Sequence, residues 1–162
     1  MTVTITGFRP EHAEAFRELH RACLAHYAIP PATRAQEDRI LSLLQAERHM
    51  ACHLAFSGEE PVGFATWSFA FPAGRGVSMV MKELFVVEQG RRMGVGRALM
   101  ATLVEIARQE TCERFDWATD GDNTAAHAFY ASIGAPENSK TNFSLPRQEF
   151  GRFLLQTKDA AP

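Results

Sequence analysis

Arg91-Arg92-Met93-Gly94-Val95-Gly96-Arg97-Ala98-Leu99 sets two glycines and three arginines between a strand-like run, Leu84-Phe85-Val86-Val87, and a helix-like one. In the second run Val95, Leu99, Leu103 and Ile106 fall four, four and three residues apart, the spacing of one helix face. Gly94 and Gly96 therefore sit where that helix starts. Residues without Cβ let the backbone approach a ligand, successive N–H groups there surround an oxyanion, and the helix dipole adds positive charge. Arg91, Arg92 and Arg97 have the same sign. A strand, a glycine turn and a helix in this order predict a phosphate-binding turn; the plainer alternative is a loop tightened ahead of a helix.

Outward from the turn, the N-terminal half reads as a strand over 1–6, a helix from Pro10 to about Tyr27 with Ala13, Phe16, Leu19, His20 and Cys23 on one side, and a helix capped by Thr33 that buries Ile40, Leu43 and Leu44. Three strands follow, about Met50–Phe56, Val62–Phe71 and Val77–Val87, joined by short links rich in Gly and Pro that imply antiparallel hairpins. After Gly94 the order becomes a helix to about Gln109, a strand Phe115–Thr119, a helix of about Asn123–Ile133 and a last strand near Lys140–Leu145. A helix crossing between two strands implies a parallel pair. The expectation is an α/β fold on a mixed sheet of six to seven strands, antiparallel in its N-terminal half, with about four helices. One domain over 1–156 and a frayed tail at 157–162 complete it.

Composition limits function. With 17 basic and 19 acidic residues the net charge is −2, which argues against nucleic acid as the main partner. Cys23, Cys52 and Cys112 are odd in number and form no Cys-x-x-Cys, so neither a disulfide framework nor a thiolate zinc site is expected. No apolar run reaches membrane-spanning length and the N-terminus lacks the pattern of a signal peptide; a cytoplasmic protein without a membrane partner is expected. His49 and His53 are four apart on a stretch that reads as a strand, where they would lie far apart along one face, and no metal is expected.

Two patterns together resemble the GNAT acetyltransferase superfamily. Arg91-x-x-Gly94-x-Gly96 is similar to the family's Arg/Gln-x-x-Gly-x-Gly/Ala signature, and Asn123-x-x-Ala126-x-x-Phe129-Tyr130-x-x-x-Gly134 is similar to its later helix. The element order fits the same fold over nearly the whole chain. The resemblance implies acetyl-coenzyme A as co-substrate, its pyrophosphate on N–H groups of Arg91, Arg92, Met93, Gly94, Val95, Gly96 and Arg97. It also implies a strand splayed from its parallel neighbour, with backbone groups of Phe85 and Val87, flanking Val86, pairing the pantetheine amides. Asn123, Ala126 and Phe129 would border the coenzyme, and Tyr130 would protonate the departing thiolate. Read by spacing alone, Ala126, Phe129, Tyr130 and Ile133 also suit the apolar stripe of an ordinary helix. Arg92 departs from the family, whose members commonly carry Gly there, and so does Glu88-Gln89-Gly90.

Val62-Gly63-Phe64-Ala65 and Lys82-Glu83-Leu84-Phe85-Val86 resemble the diamine and polyamine acetyltransferase branch. The acidic residue often proposed as base there falls on Lys82. Glu83 remains as the general base, acting through a water or by attracting a cationic amine; alternatively it is a solvated carboxylate paired with Lys82 or Arg75. Glu83, Asp116 and Glu37 near the acceptor side suggest a small primary amine, such as a diamine, polyamine or amino acid, with peptide or protein N-acetylation the alternative. His26 and Tyr27 fall where relatives shape the acceptor pocket, or on the surface. Relatives often form homodimers, which Phe143, Phe150 and Phe153 would serve as well as they would serve packing in the monomer.

Two rivals remain. One is a dinucleotide-binding enzyme, since Asp116 follows Gly94 by 22 residues, although the third glycine position is Leu99 and six residues separate strand from glycine. The other is a coenzyme A-binding regulatory module without turnover.

Overall fold

A computed structural model of the chain describes residues 2–46, 50–72, 76–138 and 143–159. They group into two compact units, Met1–Thr124 and Ala125–Pro162. The first unit holds a five-stranded sheet in the order β1 (Val3–Gly7), β2 (Ala51–Ser57), β3 (Glu60–Ala70), β4 (Ser78–Val86) and β5 (Arg114–Asp116). The first three pairings are antiparallel and β4 with β5 is parallel. That arrangement is not the doubly wound parallel sheet of a dinucleotide-binding domain.

The helices follow from local chemistry. Pro10 opens a single 3-10 turn, Pro10–His12, which feeds α1 (Ala13–His26). Phe16, Leu19 and Cys23, at steps of three and four, are its buried stripe. Thr33 caps α2 (Arg34–Gln45): its hydroxyl accepts from the Gln36 N–H at 3.3 Å, and the Gln36 side chain accepts from the Thr33 N–H at 2.8 Å. These two helices bury Phe16, Leu19, Cys23, Leu41 and Leu44 against Cys52 and Leu54 of β2, Phe64 of β3 and Phe85 of β4. The strands alternate, so Ala55, Gly63 and Ala65 point to the opposite face, where α3 (Val95–Gln109) buries Val95, Leu99, Met100, Leu103 and Ala107. Covering a side chain such as Phe16 or Leu19 is worth roughly 2 kcal/mol, so this two-sided packing fixes β4, the strand on which the site is built.

The second unit holds α4 (Thr124–Ser132) from its second residue onward and α5 (Phe150–Asp159), the latter entered through a 3-10 turn, Arg147–Glu149. Several expectations need correction. Among the described residues there are five strands, not six or seven, and five α-helices, not four. β5 ends at Asp116 because its pairing with β4 stops at Val80. Of the strand expected near Lys140–Leu145, residues 140–142 lie outside the described residues and 143–145 are not in a strand. α5 runs to Asp159, three residues into the stretch read as tail.

Candidate active site

β4 has two different edges. Toward β3 it is paired along its length, from Ser78 opposite Ala70 to Val86 opposite Gly63. Toward β5 it is paired only through Ser78, Met79 and Val80. From Met81 to Val86 no strand among the described residues covers that side, which is the splay the family resemblance implies.

The phase of the ladder decides which residues face the gap. The Val87 N–H donates to the Val62 carbonyl at 3.0 Å, and hydrogen-bonded pairs alternate along an antiparallel ladder. Phe85, opposite Phe64, therefore also turns its N–H and C=O toward β3. The backbone groups that look into the gap are those of Leu84 and Val86. The Val86 carbonyl confirms the phase, because it points away from β3 and accepts from Arg91 Nε at 3.3 Å. The expectation that Phe85 and Val87 present their amides to the gap is off by one residue; Phe85 instead buries its ring beneath α1.

After β4 a 3-10 turn, Glu88–Gly90, leads to the glycine turn. Gly90 is buried, and a Cβ there would stand 3.0 Å from the Val62 carbonyl oxygen and 3.1 Å from Val86 Cγ1, so its bareness seats the turn on β3 and β4. Gly94 is the N-cap of α3 at φ 79°, with no heavy atom within 4 Å of where a Cβ would stand. Arg92 is also left-handed, at φ 64°, at the position where the family commonly has Gly. The first helical bond of α3 runs from the Ala98 N–H to the Gly94 carbonyl, 2.9 Å, and the N–H groups at the helix mouth point outward, beyond any carbonyl of their own helix. The N–H groups of Arg91 and Met93 are used inside the turn by the carbonyls of Glu88, 3.1 Å, and Gly90, 3.4 Å, which narrows the main-chain cradle toward the mouth of α3. Arg91, Arg92, Met93 and Gly94 are exposed, so the positive end of α3 and two guanidinium groups face water together.

The end of α1 closes over the same strand. His26 lies 5.9 Å from the Phe85 ring and touches Arg91, and both line a cavity of about 300 Å³ with Phe85, Val87 and Glu88. Tyr27 is hydrogen-bonded by the Asn123 side chain and feels Cys23, Glu83 and Arg91. Burial, then coupling to Cys23 and the Glu83 carboxylate, push its phenol up; Arg91 and the Asn123 bond oppose them. Burial, with Glu83 adding to it, pushes the Cys23 thiol up to about 11, so it stays a protonated thiol near neutral pH. Glu83 itself is raised above the usual carboxylate range by partial desolvation; Asp120 adds to the rise and Lys82 opposes it. A raised carboxylate is a better proton acceptor, as a general base requires. Glu83, Tyr27, Asn123 and Arg91 thus form one neighbourhood around β4. The sequence leaves His26 and Tyr27 either in a pocket or on the surface; both are exposed, and His26 also lines the cavity.

Other expected site residues lie elsewhere. Glu37 is buried and bound by Arg17 at 2.9 Å and Arg21 at 2.8 Å, and Asp116 pairs with Arg114 at 2.7 Å. Neither carboxylate is left to attract an amine. Ala126, Phe129 and Tyr130 are on α4, in the second unit, where the rings of Phe129 and Tyr130 stand 5.2 Å apart. His49 and Arg75 are outside the described residues. His53 Nδ1 accepts from Trp67 Nε1 at 3.1 Å, and among the described residues no group of three His, Cys, Asp or Glu could hold a metal.

A family model described as acetyltransferase (GNAT) family matches residues 13–135. Over 80 residues the chain is 36% identical to a thialysine N-epsilon-acetyltransferase of Caenorhabditis elegans, a match covering 49% of this chain and 50% of that protein. The chain thus spans about half the length of that curated relative. Among solved structures it is similar to an integron cassette protein from the mobile metagenome of V. cholerae, with a TM-score of 0.82, 27% identity, and 95% of this chain and 98% of that one covered. It also shares its fold with AAC(6')-Iy, solved in complex with the bisubstrate analog CoA-S-monomethyl-acetylneamine, with a TM-score of 0.78, 19% identity and 91% and 99% coverage.

Proposed function

The chain belongs to the acetyltransferase (GNAT) family, and from that premise we propose that it is an N-acetyltransferase, moving an acetyl group from acetyl-coenzyme A to a small primary amine in a ternary complex. One observation carries the reading: the bare edge of β4 from Met81 to Val86 runs directly into a left-handed turn and an open helix mouth. An arm with two amides fits such an edge, and a diphosphate fits such a mouth. In this reading Leu84 and Val86 pair the pantetheine amides, N–H groups from Gly94 to Gly96 hold the pyrophosphate, and Arg91, Arg92 and Arg97 supply charge.

The amine must lose a proton before it attacks. Glu83, raised by its surroundings, takes it directly or through a water. The nitrogen lone pair forms the N–C bond, the C–S bond breaks, the thiolate takes a proton from Tyr130, a role assigned from the sequence pattern, and the second proton shed by the new amide nitrogen restores the Tyr130 phenol by way of water. The named relatives support an amine acceptor: one is called a thialysine N-epsilon-acetyltransferase, another an aminoglycoside N-acetyltransferase. A diamine, polyamine or amino acid suits the neighbourhood of Glu83, where the Asp120 carboxylate adds negative charge.

The test is thiol release from acetyl-coenzyme A across a panel of diamines, polyamines, amino acids and aminoglycosides. Turnover with at least one of them is expected. Tyr130→Phe should keep coenzyme A affinity and slow transfer by about ten- to a thousandfold, the scale of a lost acid catalyst. Tight binding of acetyl-coenzyme A without thiol release from any amine or peptide would favour the regulatory module.

A further inference from the structure

Arg91 and His26 are 65 residues apart in sequence and in contact in the fold. Arg91 Nη2 stands 3.2 Å from His26 Nε2 and 3.4 Å from Nδ1, while its Nε donates to the Val86 carbonyl. The imidazole has a fixed plane. Its ring meets Tyr27 at 4.9 Å and 70°, and Phe85, itself buried, at 5.9 Å and 50°. A guanidinium carries five N–H donors. Two of them are occupied by these contacts, and Arg91 lines the cavity beside the glycine turn. Among the described residues no carboxylate lies in ion-pair reach of Arg91, so its charge is not spent within the protein.

We propose that His26 is a positioning residue for the coenzyme: from the end of α1 it holds the Arg91 guanidinium in place so that the remaining N–H groups meet the diphosphate. This rests on the coenzyme reading above. A long, exposed arginine otherwise loses rotamer freedom when it binds an anion, and a side chain already anchored at two points loses less. The anchor depends on charge. A neutral imidazole offers a lone pair or a ring face to the guanidinium, whereas an imidazolium repels it. The other charged or titratable groups around His26 are Glu18 and Cys23 on α1, Tyr27 just beyond its end, and Glu88 beside Arg91 in the connection, with Glu83 of β4 acting on Cys23 and Tyr27.

The experiment is titration calorimetry with two probes, coenzyme A and its nucleotide half, 3′-phosphoadenosine 5′-diphosphate, at pH 8 and pH 5.5. His26→Ala should weaken both probes by about tenfold at pH 8, the scale of one charged hydrogen bond, without lowering the Tm. His26→Gln, whose amide oxygen accepts from a guanidinium at either pH, should bind as wild type does at pH 8 and better than wild type at pH 5.5. His26→Ala binding both probes as wild type does would overturn the assignment. So would a loss seen with coenzyme A and not with the nucleotide half, or equal pH responses in wild type and His26→Gln. Wild type that binds neither probe at pH 8 would overturn the coenzyme reading and this assignment with it; wild-type binding left unchanged by His26→Ala overturns this assignment alone.

Discussion

Two groups of arginines in the first unit are put to opposite uses. Arg17 and Arg21 on α1 close on Glu37 of α2; the side chains of Arg17 and Glu37 are only 6% and 3% exposed, and Asp38 and Glu14 add further ion pairs. Arg91 and Arg92 lie exposed beside the mouth of α3, and no described carboxylate pairs with either. In the first group each charge is neutralised, the Arg17–Glu37 pair where water is scarce, and the pairs fasten one helix to another. In the second, positive charge is left facing solvent next to a helix N-terminus, an arrangement that costs self-repulsion and serves an anion from outside. Neutralisation, more than abundance, separates structural arginines from binding ones.

The largest effect that would break the contrast is charge reversal at the turn. Arg91→Glu combined with Arg92→Glu should weaken coenzyme A binding by about a hundredfold or more while shifting the Tm by no more than about 2 °C, because two exposed side chains contribute little to folding. Isothermal titration and thermal melting read the two quantities separately. A large fall in Tm with intact binding would reverse the assignment of the two groups.

The converse change is Glu37→Gln. It leaves Arg17 and Arg21 without their shared carboxylate and should lower the Tm by roughly 5–10 °C, with coenzyme affinity unchanged. Its pH dependence has a definite sign. Arg21, and against the opposing effect of burial also Arg17, holds the Glu37 carboxyl below its ordinary value of 4.5. A carboxyl depressed in the fold stabilises above its unfolded value and loses that contribution as the pH falls through the folded one. The gap in Tm between wild type and Glu37→Gln should therefore be full near neutral pH and close on acidification below about 4.5. A gap constant down to strong acid would remove the ion pairs from the stability of the α1–α2 contact.

The contrast also marks what the sequence could carry. Local signals were legible: Pro10 and Thr33 at helix starts, the stripe of Phe16, Leu19 and Cys23, the glycines before α3, and the alternation of β2 and β3. α5 is not read as a helix from the sequence, although Phe150, Phe153 and Leu154 stand three and one apart after Pro146; Phe150 and Phe153 read there as packing or dimer aromatics. Pairings between distant residues were not legible. Glu37 reads as a carboxylate available to an amine until Arg17, 20 residues away, is seen to bind it. His26 and Arg91 give no sign of each other. The one-residue difference between Phe85 with Val87 and Leu84 with Val86 is set by the ladder phase through Val62, and strand periodicity alone leaves that phase open.

The smallest effect sharpens the contrast most, because it separates stability from binding within one residue. Arg92 holds φ 64°, a conformation that costs a side-chain-bearing residue about 1–2 kcal/mol, and relatives of the family commonly place Gly there. If Arg92 served the fold, its replacement would be neutral or harmful. If the strain is tolerated for the sake of a guanidinium beside the helix mouth, Arg92→Gly should raise the Tm by about 2–4 °C and at the same time weaken coenzyme A about three- to tenfold. Arg92→Ala is the control: it keeps the strained Cβ and removes the charge, so it should show the loss of affinity without the gain in Tm. The two variants together isolate backbone strain from charge. Equal melting of both would mean that the left-handed turn at Arg92 costs the protein nothing, and unaltered affinity in both would leave Arg91 and the main chain of α3 as the whole of the anion site.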